Sequence, residues 1–453
     1  MTFDLAIIGA GPGGFDAALR ARELGLKVAL IEKSEPGGTC LNTGCIPTKA
    51  LLASTKLLTK VKEASRYGLS VSGVSCDAKA LADRTGRIVE TLRKGLLETL
   101  KRSGAEWITG QASFTGKNRL LVSNREIEAQ SILIATGTEP TPFPGTSFDS
   151  KRILSSTELL NIKIQPTQLL ILGGGVVGVE FASIFQALGV RVTIVEMLDR
   201  LIATEDEEVS RRLDSLFRRK GIEVLTGEKV KSLSARSHGA EALLESGKKI
   251  EADQCLVAIG RKPKLEGLGL EKAGIKVEKG TISVNEYLET SVPGIFAIGD
   301  VTSRSTGLAH GASAEGIRVV ENLKGPKKKM NYEAVPSCIY TDPEVASVGK
   351  IAQGGEKSER IVEARVLFAS LGKAHIEGET EGFIKMFASK KDGRILGMTG
   401  IGARMSELIQ EATLAVSAGI TVETLAATIH AHPTEGEILQ KAAQRLKQLL
   451  DRG

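Results

Sequence analysis

The sequence predicts an α/β protein with two dinucleotide-binding units and a C-terminal α+β unit, and three observations carry that prediction. A glycine-rich turn stands between an apolar run and a helical stretch, and it does so twice. In both copies an acid closes the following apolar run 23 positions after the first glycine. From Asn331 onward the texture changes to short β-rich runs and then helical stretches, with no such turn. The 453 residues exceed a single domain of about 150 residues, and 50 of them are glycine. That is above the usual share of about 7%, as a chain whose backbone must approach a ligand closely would require.

The first copy runs from the apolar strand at 4–8 into Gly9-Ala-Gly11-Pro-Gly-Gly14, a helical stretch at 15–24, Gly25, and a second strand ending on Glu32. The second runs from the strand before Gly173 through Gly173-Gly-Gly175-Val-Val-Gly178, a helical stretch at 179–188, Gly189, and a strand ending on Glu196. In such a turn the first glycine permits the reversal, the second lets backbone approach a pyrophosphate, and the third lets helix and strand pack. Unpaired N–H groups at the helix start receive the anion. Glu32 and Glu196 stand where a carboxylate accepts hydrogen bonds from both hydroxyls of an adenosine ribose. An acid there repels a 2′-phosphate and favours NAD over NADP at the nicotinamide site.

Each unit has a later apolar strand ending in glycine, 131–137 with Ala135-Thr136-Gly137 and 254–260 with Gly260. Glu139-Pro140 and Arg261-Lys262-Pro263 follow, so both read as crossings past a bound dinucleotide. A third such strand ends on Asp300, and the helix-forming stretch at 307–323 follows it, which predicts that the first unit is completed late. Beyond it, β runs are expected at 366–368, 383–388 and 395–400 and helices at 405–418, 421–428 and 437–450. The predicted boundaries give domains at 1–148, 149–266, 267–332 and 333–453.

The formal charge is +6. The one compact basic cluster, Lys327-Lys328-Lys329 after Gly325-Pro326, reads as a solvated turn, so nucleic acid is not an expected partner. No apolar run reaches about 18 residues, and Asp4 with four glycines interrupts any N-terminal apolar core. A cytoplasmic protein without membrane contact is therefore expected. Of five cysteines only Cys40 and Cys45 are close, in GGTCLNTGCIPTK. Five positions on a regular helix exceed the ~7 Å Cα limit for a disulfide, so a bridge requires a distorted turn, which Gly44 can supply. On opening, the thiolate nearer the following helix start would gain from the helix dipole. The competing readings are two inert thiols or a metal pair, and two cysteines without a second pair make weak metal ligands.

These residues resemble the pyridine nucleotide–disulfide oxidoreductases. The resemblance covers nearly the whole chain, through Gly9–Gly14, GGTCLNTGCIPTK, the ATG at 135–137, Gly173–Gly178, TSVPGIFAIGD at 290–300, Leu308-Ala309-His310, YTDPEVASVG at 340–349 and His430-Ala-His432-Pro433-Thr434. It implies two Rossmann-like domains, with FAD on the first and NAD on the second, a central domain that completes the FAD site, and a C-terminal α+β dimerisation domain of a homodimer. It implies that Lys33, Gly38, Thr39, Ala112, Asp300 and Ala309 line the FAD, and that Val230 and Gly260 line the NAD. Lys49 would pair with Glu180 beside the flavin. Cys40 would exchange with substrate, Cys45 would face the flavin, and His432, held by Glu437, would be the acid–base residue. His310 is expected to be structural, and His238 and His375 sit in polar, loop-like surroundings. No metal site is expected at His430 and His432. In place of the usual HPT-leucine-serine-glutamate the chain reads Glu435-Gly436 before Glu437, which bears on the His432–Glu437 pairing.

The implied reaction is NAD-dependent oxidation of dihydrolipoyl groups carried on acyltransferases or glycine-cleavage carrier proteins. Glu196 speaks against a glutathione-type NADP reductase. A redox-responsive docking component without turnover would not need both cysteines, His432 and Glu437 together.

Overall fold

The computed structural model describes residues 2–160, 165–349 and 360–452. Its contacts divide the chain into two compact units, one of Met1–Ala50, Lys79–Thr141 and Gly260–Met330, the other of Leu51–Ala78, Pro142–Ile259 and Asn331–Gly453.

In the first unit four parallel strands lie in the order Glu106–Thr109, Val28–Glu32, Thr2–Ile8, Arg125–Ile134. Ile295–Ala297 joins Arg125–Ile134 in parallel, and Arg119–Val122 and Ala112–Gly116 add an antiparallel arm. Leu5, Ile7, Leu30, Leu133 and Ala297 are fully buried, as a parallel sheet covered on both faces demands. The strand expected to complete this unit late is thus in its sheet. The helix that follows it, Ala309–Lys324, packs on Pro12–Glu23 so closely that a Cβ on Gly316 would stand 2.3 Å from the Gly13 carbonyl oxygen.

The second unit holds a parallel sheet ordered Glu223–Thr226, Arg191–Glu196, Gln168–Leu172, Gln254–Val257, Ile153–Leu154. A three-stranded antiparallel sheet starts at Val230. The C-terminal part is a five-stranded antiparallel sheet, Ser337–Ile339, Glu344–Gly349, Ile395–Gly402, Phe383–Ser389, Ile361–Leu367. Helices Met405–Ser417, Val422–Ala427 and Glu437–Leu450 accompany it. Phe368, Met386, Met398, Met405, Ile409, Ile438, Leu439 and Leu446 form one buried core among them.

The helices expected at 15–24 and 179–188 run Pro12–Glu23 and Val176–Ala187. Each begins earlier because the third glycine of the turn already lies within the helix. His375 sits in the short helix Gly372–Ile376 rather than in a loop, its Nε2 2.9 Å from the Ala369 carbonyl oxygen. Among the described residues no helix is long and apolar enough to cross a membrane.

Candidate active site

The first glycine turn is shaped by backbone contacts that leave no room for side chains. A Cβ on Gly9, whose φ is +103°, would lie 2.4 Å from the Ala135 carbonyl oxygen, and one on Gly14 1.9 Å from the Gly9 carbonyl oxygen. Gly11 caps the helix Pro12–Glu23 without a side-chain hydrogen bond, so the amides there remain for an anion. Glu32, at the end of its strand, accepts from the Ala10 N–H at 2.8 Å and the Ser34 N–H at 3.0 Å. Both bonds fix its carboxylate beside the turn and leave lone pairs for a ribose. Lys33 is exposed next to it. Gly37 donates to the Ala10 carbonyl at 2.8 Å, and Gly38 lies so near that its Cβ would stand 2.7 Å from the Gly11 Cα. That segment covers the turn.

Farther along the same sheet, Ala135 donates to the Ile8 carbonyl. The Thr136 Oγ1 is buried without a hydrogen-bond partner among the described residues, and Gly137 has φ +64°. Asp300, in the turn Gly299–Val301, accepts from the Thr138 hydroxyl at 3.1 Å and the Ser305 hydroxyl at 3.2 Å. Ala112 is buried on its strand, and Ala309 opens a helix whose cap, Leu308, makes no side-chain bond. An uncapped helix start, a fixed acid, a glycine cradle and an orphaned buried hydroxyl make a donor set that fits a dinucleotide such as FAD.

The cysteines flank a helix break. Gly38–Thr43 ends at Gly44, and Cys45 opens the 18-residue helix Cys45–Lys62 with Pro47 in its first turn. The break lets the two side chains meet, as the expected distorted turn required. Its hydrogen bond to the Cys45 sulfur, burial and negative charge at Cys45 push the Cys40 thiol far above its usual range, with the Lys49 cation and the Cys45 backbone acting against the rise. The start of the Cys45 helix supports a negative sulfur there.

The second glycine turn repeats the first. A Cβ on Gly173, φ +107°, would be 2.4 Å from the Ala258 carbonyl oxygen, and one on Gly178 1.9 Å from the Gly173 carbonyl oxygen. Gly175 caps the helix with no side-chain bond and has open space around it. Glu196 accepts from the Gly174 N–H at 2.6 Å and the Leu198 N–H at 2.8 Å. Exposed Met197 and Leu198 offer an apolar edge beside it. Glu180, on the same helix, is buried and accepts from the Tyr340 N–H at 3.0 Å. Val230 begins its strand, and Gly260 has φ +130°.

In the C-terminal part His432 is exposed and its Nδ1 lies 2.9 Å from Glu437 Oε1. The second oxygen of Glu437 accepts from the Thr434 N–H at 2.9 Å. The carboxylate is thus tied at both ends, held below its usual range by the hydrogen bonds from His432 and Thr434, and leaves His432 Nε2 outward. His430 is held differently, with Nδ1 at 3.0 Å from the Thr428 carbonyl and Nε2 at 3.0 Å from Glu411. Thr434 and Glu411 had no role in the sequence reading. The Thr-x-x-Glu spacing of a capping box was the available signal for Thr434.

Residues 3–316 match the family model described as pyridine nucleotide-disulphide oxidoreductase. The chain belongs to that family. Residues 335–443 match its dimerisation domain. The chain is 40% identical to a dihydrolipoyl dehydrogenase of Chlamydia muridarum, over 97% of this chain and 96% of that protein. It is 41% identical to one from Thermus scotoductus, over 98% and 97%. Its fold is similar to LpdA from Mycobacterium tuberculosis, with TM-score 0.90, 27% identity and coverage of 98% and 99%. It is also similar to the Cu(II) complex of the HOCl-induced flavoprotein disulfide reductase RclA from Escherichia coli, with TM-score 0.88, 28% identity and coverage of 98% and 100%. The family uses FAD and a nicotinamide dinucleotide. The two cradles, the cysteine pair and a dimerisation domain accord with that chemistry.

Proposed function

We propose that the protein oxidises the dithiol of protein-bound dihydrolipoyl groups with NAD⁺. The observation that carries this reading is the cysteine pair astride Gly44, with Cys45 at the start of a helix. Relatives named dihydrolipoyl dehydrogenase support the substrate class. One substrate sulfur attacks Cys40 of the Cys40–Cys45 disulfide, forming a mixed disulfide and releasing Cys45 as a thiolate. The second substrate sulfur then attacks the first, closing the oxidised substrate and freeing Cys40. His432 takes the thiol protons, because the thiolate is the attacking form, and Glu437 holds its Nδ1 so that Nε2 does this work. FAD, when bound, would supply the two-electron acceptor for the reduced cysteines and the hydride donor for NAD⁺.

Gly9, Gly11, Gly14, Glu32, Lys33, Gly38, Thr39, Ala112, Ala135, Thr136, Gly137, Asp300 and Ala309 would hold FAD. Gly173, Gly175, Gly178, Glu196, Val230 and Gly260 would hold NAD. Lys49 and Glu180 would stand together beside the flavin. The four domains 1–148, 149–266, 267–332 and 333–453, and a homodimer in which His432 serves the partner's cysteines, complete the reading. The lipoyl carriers would be acyltransferases or glycine-cleavage proteins in the cytoplasm. The test follows nicotinamide absorbance with dihydrolipoamide plus NAD⁺ or NADP⁺, and with oxidised glutathione plus NADH or NADPH. Turnover with dihydrolipoamide and NAD⁺ is expected. Faster turnover with glutathione and NADPH would overturn the reading.

A further inference from the structure

The strand Arg261–Pro263 pairs antiparallel with Thr138–Pro140, Arg261 opposite Pro140 and Pro263 opposite Thr138. The ladder is anchored at both ends, by the Thr141 N–H on the Gly260 carbonyl at 3.1 Å and the Lys264 N–H on the Gly137 carbonyl at 2.9 Å. It brings the Arg261 side chain back over Thr138. Arg261 Nε donates to Thr138 Oγ1 at 2.8 Å, and its Nη2 to the Thr138 carbonyl at 2.9 Å. Thr138 is buried, 7% exposed.

These contacts fix the direction of a hydrogen-bond chain. A guanidinium has donors only, and a hydroxyl has one hydrogen. Thr138 Oγ1 must accept from Arg261, and its single hydrogen then points to Asp300 Oδ2, 3.1 Å away. The Ser305 hydroxyl holds Oδ1 at 3.2 Å. The Asp300 carboxylate is thereby clamped at both oxygens, and each oxygen keeps a lone-pair direction for an incoming hydroxyl. Without the arginine the threonine hydroxyl could rotate away, and the carboxylate would lose its set orientation.

We propose that Arg261 and Thr138 form a positioning pair that orients the Asp300 carboxylate toward a hydroxyl of the flavin's ribitol chain, with Arg261 acting on that carboxylate through the threonine hydroxyl. The inference rests on the assignment of Asp300 to the flavin made above. Burial lowers the Arg261 pKa, and the negative charges of Asp300, Cys45 and Glu139 oppose that loss, Asp300 most of the three. A cation within electrostatic reach of Cys45 also favours the thiolate that this sulfur carries after the disulfide opens. Neither residue touches a reacting atom in this role, so their effect is read on FAD retention and flavin potential.

The experiment uses the purified holoenzyme with Thr138→Val, Thr138→Ser, Arg261→Met, Arg261→Lys and the Thr138→Val/Arg261→Met double variant. FAD dissociation is followed by the fluorescence of released flavin, and the flavin midpoint potential by dye equilibration. Thr138→Val weakens FAD binding about tenfold or more, the loss expected for a hydrogen bond to a charged group. Thr138→Ser, which keeps the hydroxyl, stays within about twofold. Arg261→Met weakens FAD binding comparably and moves the midpoint potential to more negative values, while Arg261→Lys restores part of the potential. The double variant is no worse than the poorer single one, since both remove the same chain of bonds. FAD binding within twofold of the parent in Thr138→Val, or additive losses in the double variant, would overturn the proposal. Asp300→Asn separates the two failures. If it leaves FAD affinity unchanged, the assignment of Asp300 to the flavin is wrong. If it weakens FAD while Thr138→Val does not, the positioning pair alone is wrong.

Discussion

The two glycine cradles match to within a tenth of an ångström in their critical backbone approaches, and a following segment closes on each, Gly37 donating to the Ala10 carbonyl and Ile202 to the Gly174 carbonyl, both at 2.8 Å, yet only the first is packed farther along its helix start. Gly9 and Gly173 both meet a carbonyl at 2.4 Å through a virtual Cβ, and Gly14 and Gly178 at 1.9 Å. Over the first cradle lie Gly37–Gly38, with Gly38 against Gly11, and the helix Ala309–Lys324 against Gly13. A Cβ on Gly175, the counterpart of Gly11, would meet nothing within 4 Å, and no segment approaches it as Gly38 approaches Gly11. The same βαβ chemistry is used twice, and its surroundings differ. A helix start packed in this way suits a group that stays through many turnovers, and an open one suits a dinucleotide that must leave each time.

The largest effect tests that difference directly. Gly14→Ala and Gly178→Ala insert the same methyl into the same 1.9 Å space, where backbone rather than a flexible side chain must yield. Gly14→Ala should give colourless, poorly folded protein, because cradle, covering segment and packed helix are lost together. Gly178→Ala should purify with its flavin absorbance and lose NAD⁺-dependent turnover by about 100-fold or more, an effect of misplaced substrate. Equal flavin loss in both would remove the contrast. A milder version is Gly38→Ala, which meets the Gly11 Cα at 2.7 Å with φ +56° and should speed FAD release without changing the KM for NAD⁺.

His432 belongs to neither cradle, so replacing it separates proton transfer from dinucleotide binding. His432→Gln should slow dihydrolipoamide oxidation by about 10²–10⁴-fold, the usual share of a general base, while NADH still reduces artificial acceptors through the flavin. Subunits with Cys45→Ser mixed with subunits carrying His432→Gln should regain one working site per heterodimer. No recovery in demonstrated heterodimers would mean that His432 acts in cis or not at all.

The acids that close the two cradles give a smaller effect. Glu196→Ser, with Met197→Arg beside it, should lower the preference for NAD⁺ over NADP⁺ by about tenfold or more, since it removes a repulsion and adds a phosphate partner. The matching change at Glu32 should alter FAD retention and leave coenzyme preference alone. A wild-type protein that already accepts NADP⁺ as well as NAD⁺ would contradict the role given to Glu196.

What was legible in the sequence follows from the same comparison. The cradles could be read because backbone geometry admits few residues there, so glycine spacing and a strand-end acid report directly on three-dimensional contacts. The cysteine pair could be read because Gly44 makes the break its chemistry needs. Thr138 and Arg261 could not, since their bonds depend on a two-stranded ladder joining segments more than 100 positions apart. Nor does the 26-residue helix Ala78–Ser103 announce itself, with Gly86 and Gly95 inside it and only Thr85, Val89 and Leu100 buried. Its apolar residues do recur at helical spacing, Leu81, Ile88, Leu92, Leu96 and Leu100, but the two glycines lower helix propensity within the same stretch.

The smallest prediction concerns the region where the sequence departs from the family's wording. Glu435 takes the place of the usual leucine and is only 6% exposed. Its Oε2 is 3.4 Å from Arg404 Nε, and its Oε1 has no hydrogen-bond partner among the described residues. Burial raises its pKa, Glu379 and Glu377 add to the rise, and Arg404 and Lys373 oppose it. An acid whose pKa is higher in the folded than in the unfolded chain stabilises the fold when protonated, and that contribution is lost as pH rises from the unfolded value, about 4.3, through the folded one. At neutral pH the ionised carboxylate therefore costs stability. Glu435→Leu should raise Tm by about 1–2 °C at neutral pH, and the gain should shrink as the pH falls toward that of an ordinary glutamate. The histidine pair beside it is tied through Glu437 and Thr434 rather than Glu435, so the pH dependence of dithiol oxidation should keep its shape. A gain that does not vary with pH would mean that packing, not the charge, sets the difference. Whereas the cradles reject a single methyl, this loop accepts a buried acid, because only side chains and no backbone approach must give way.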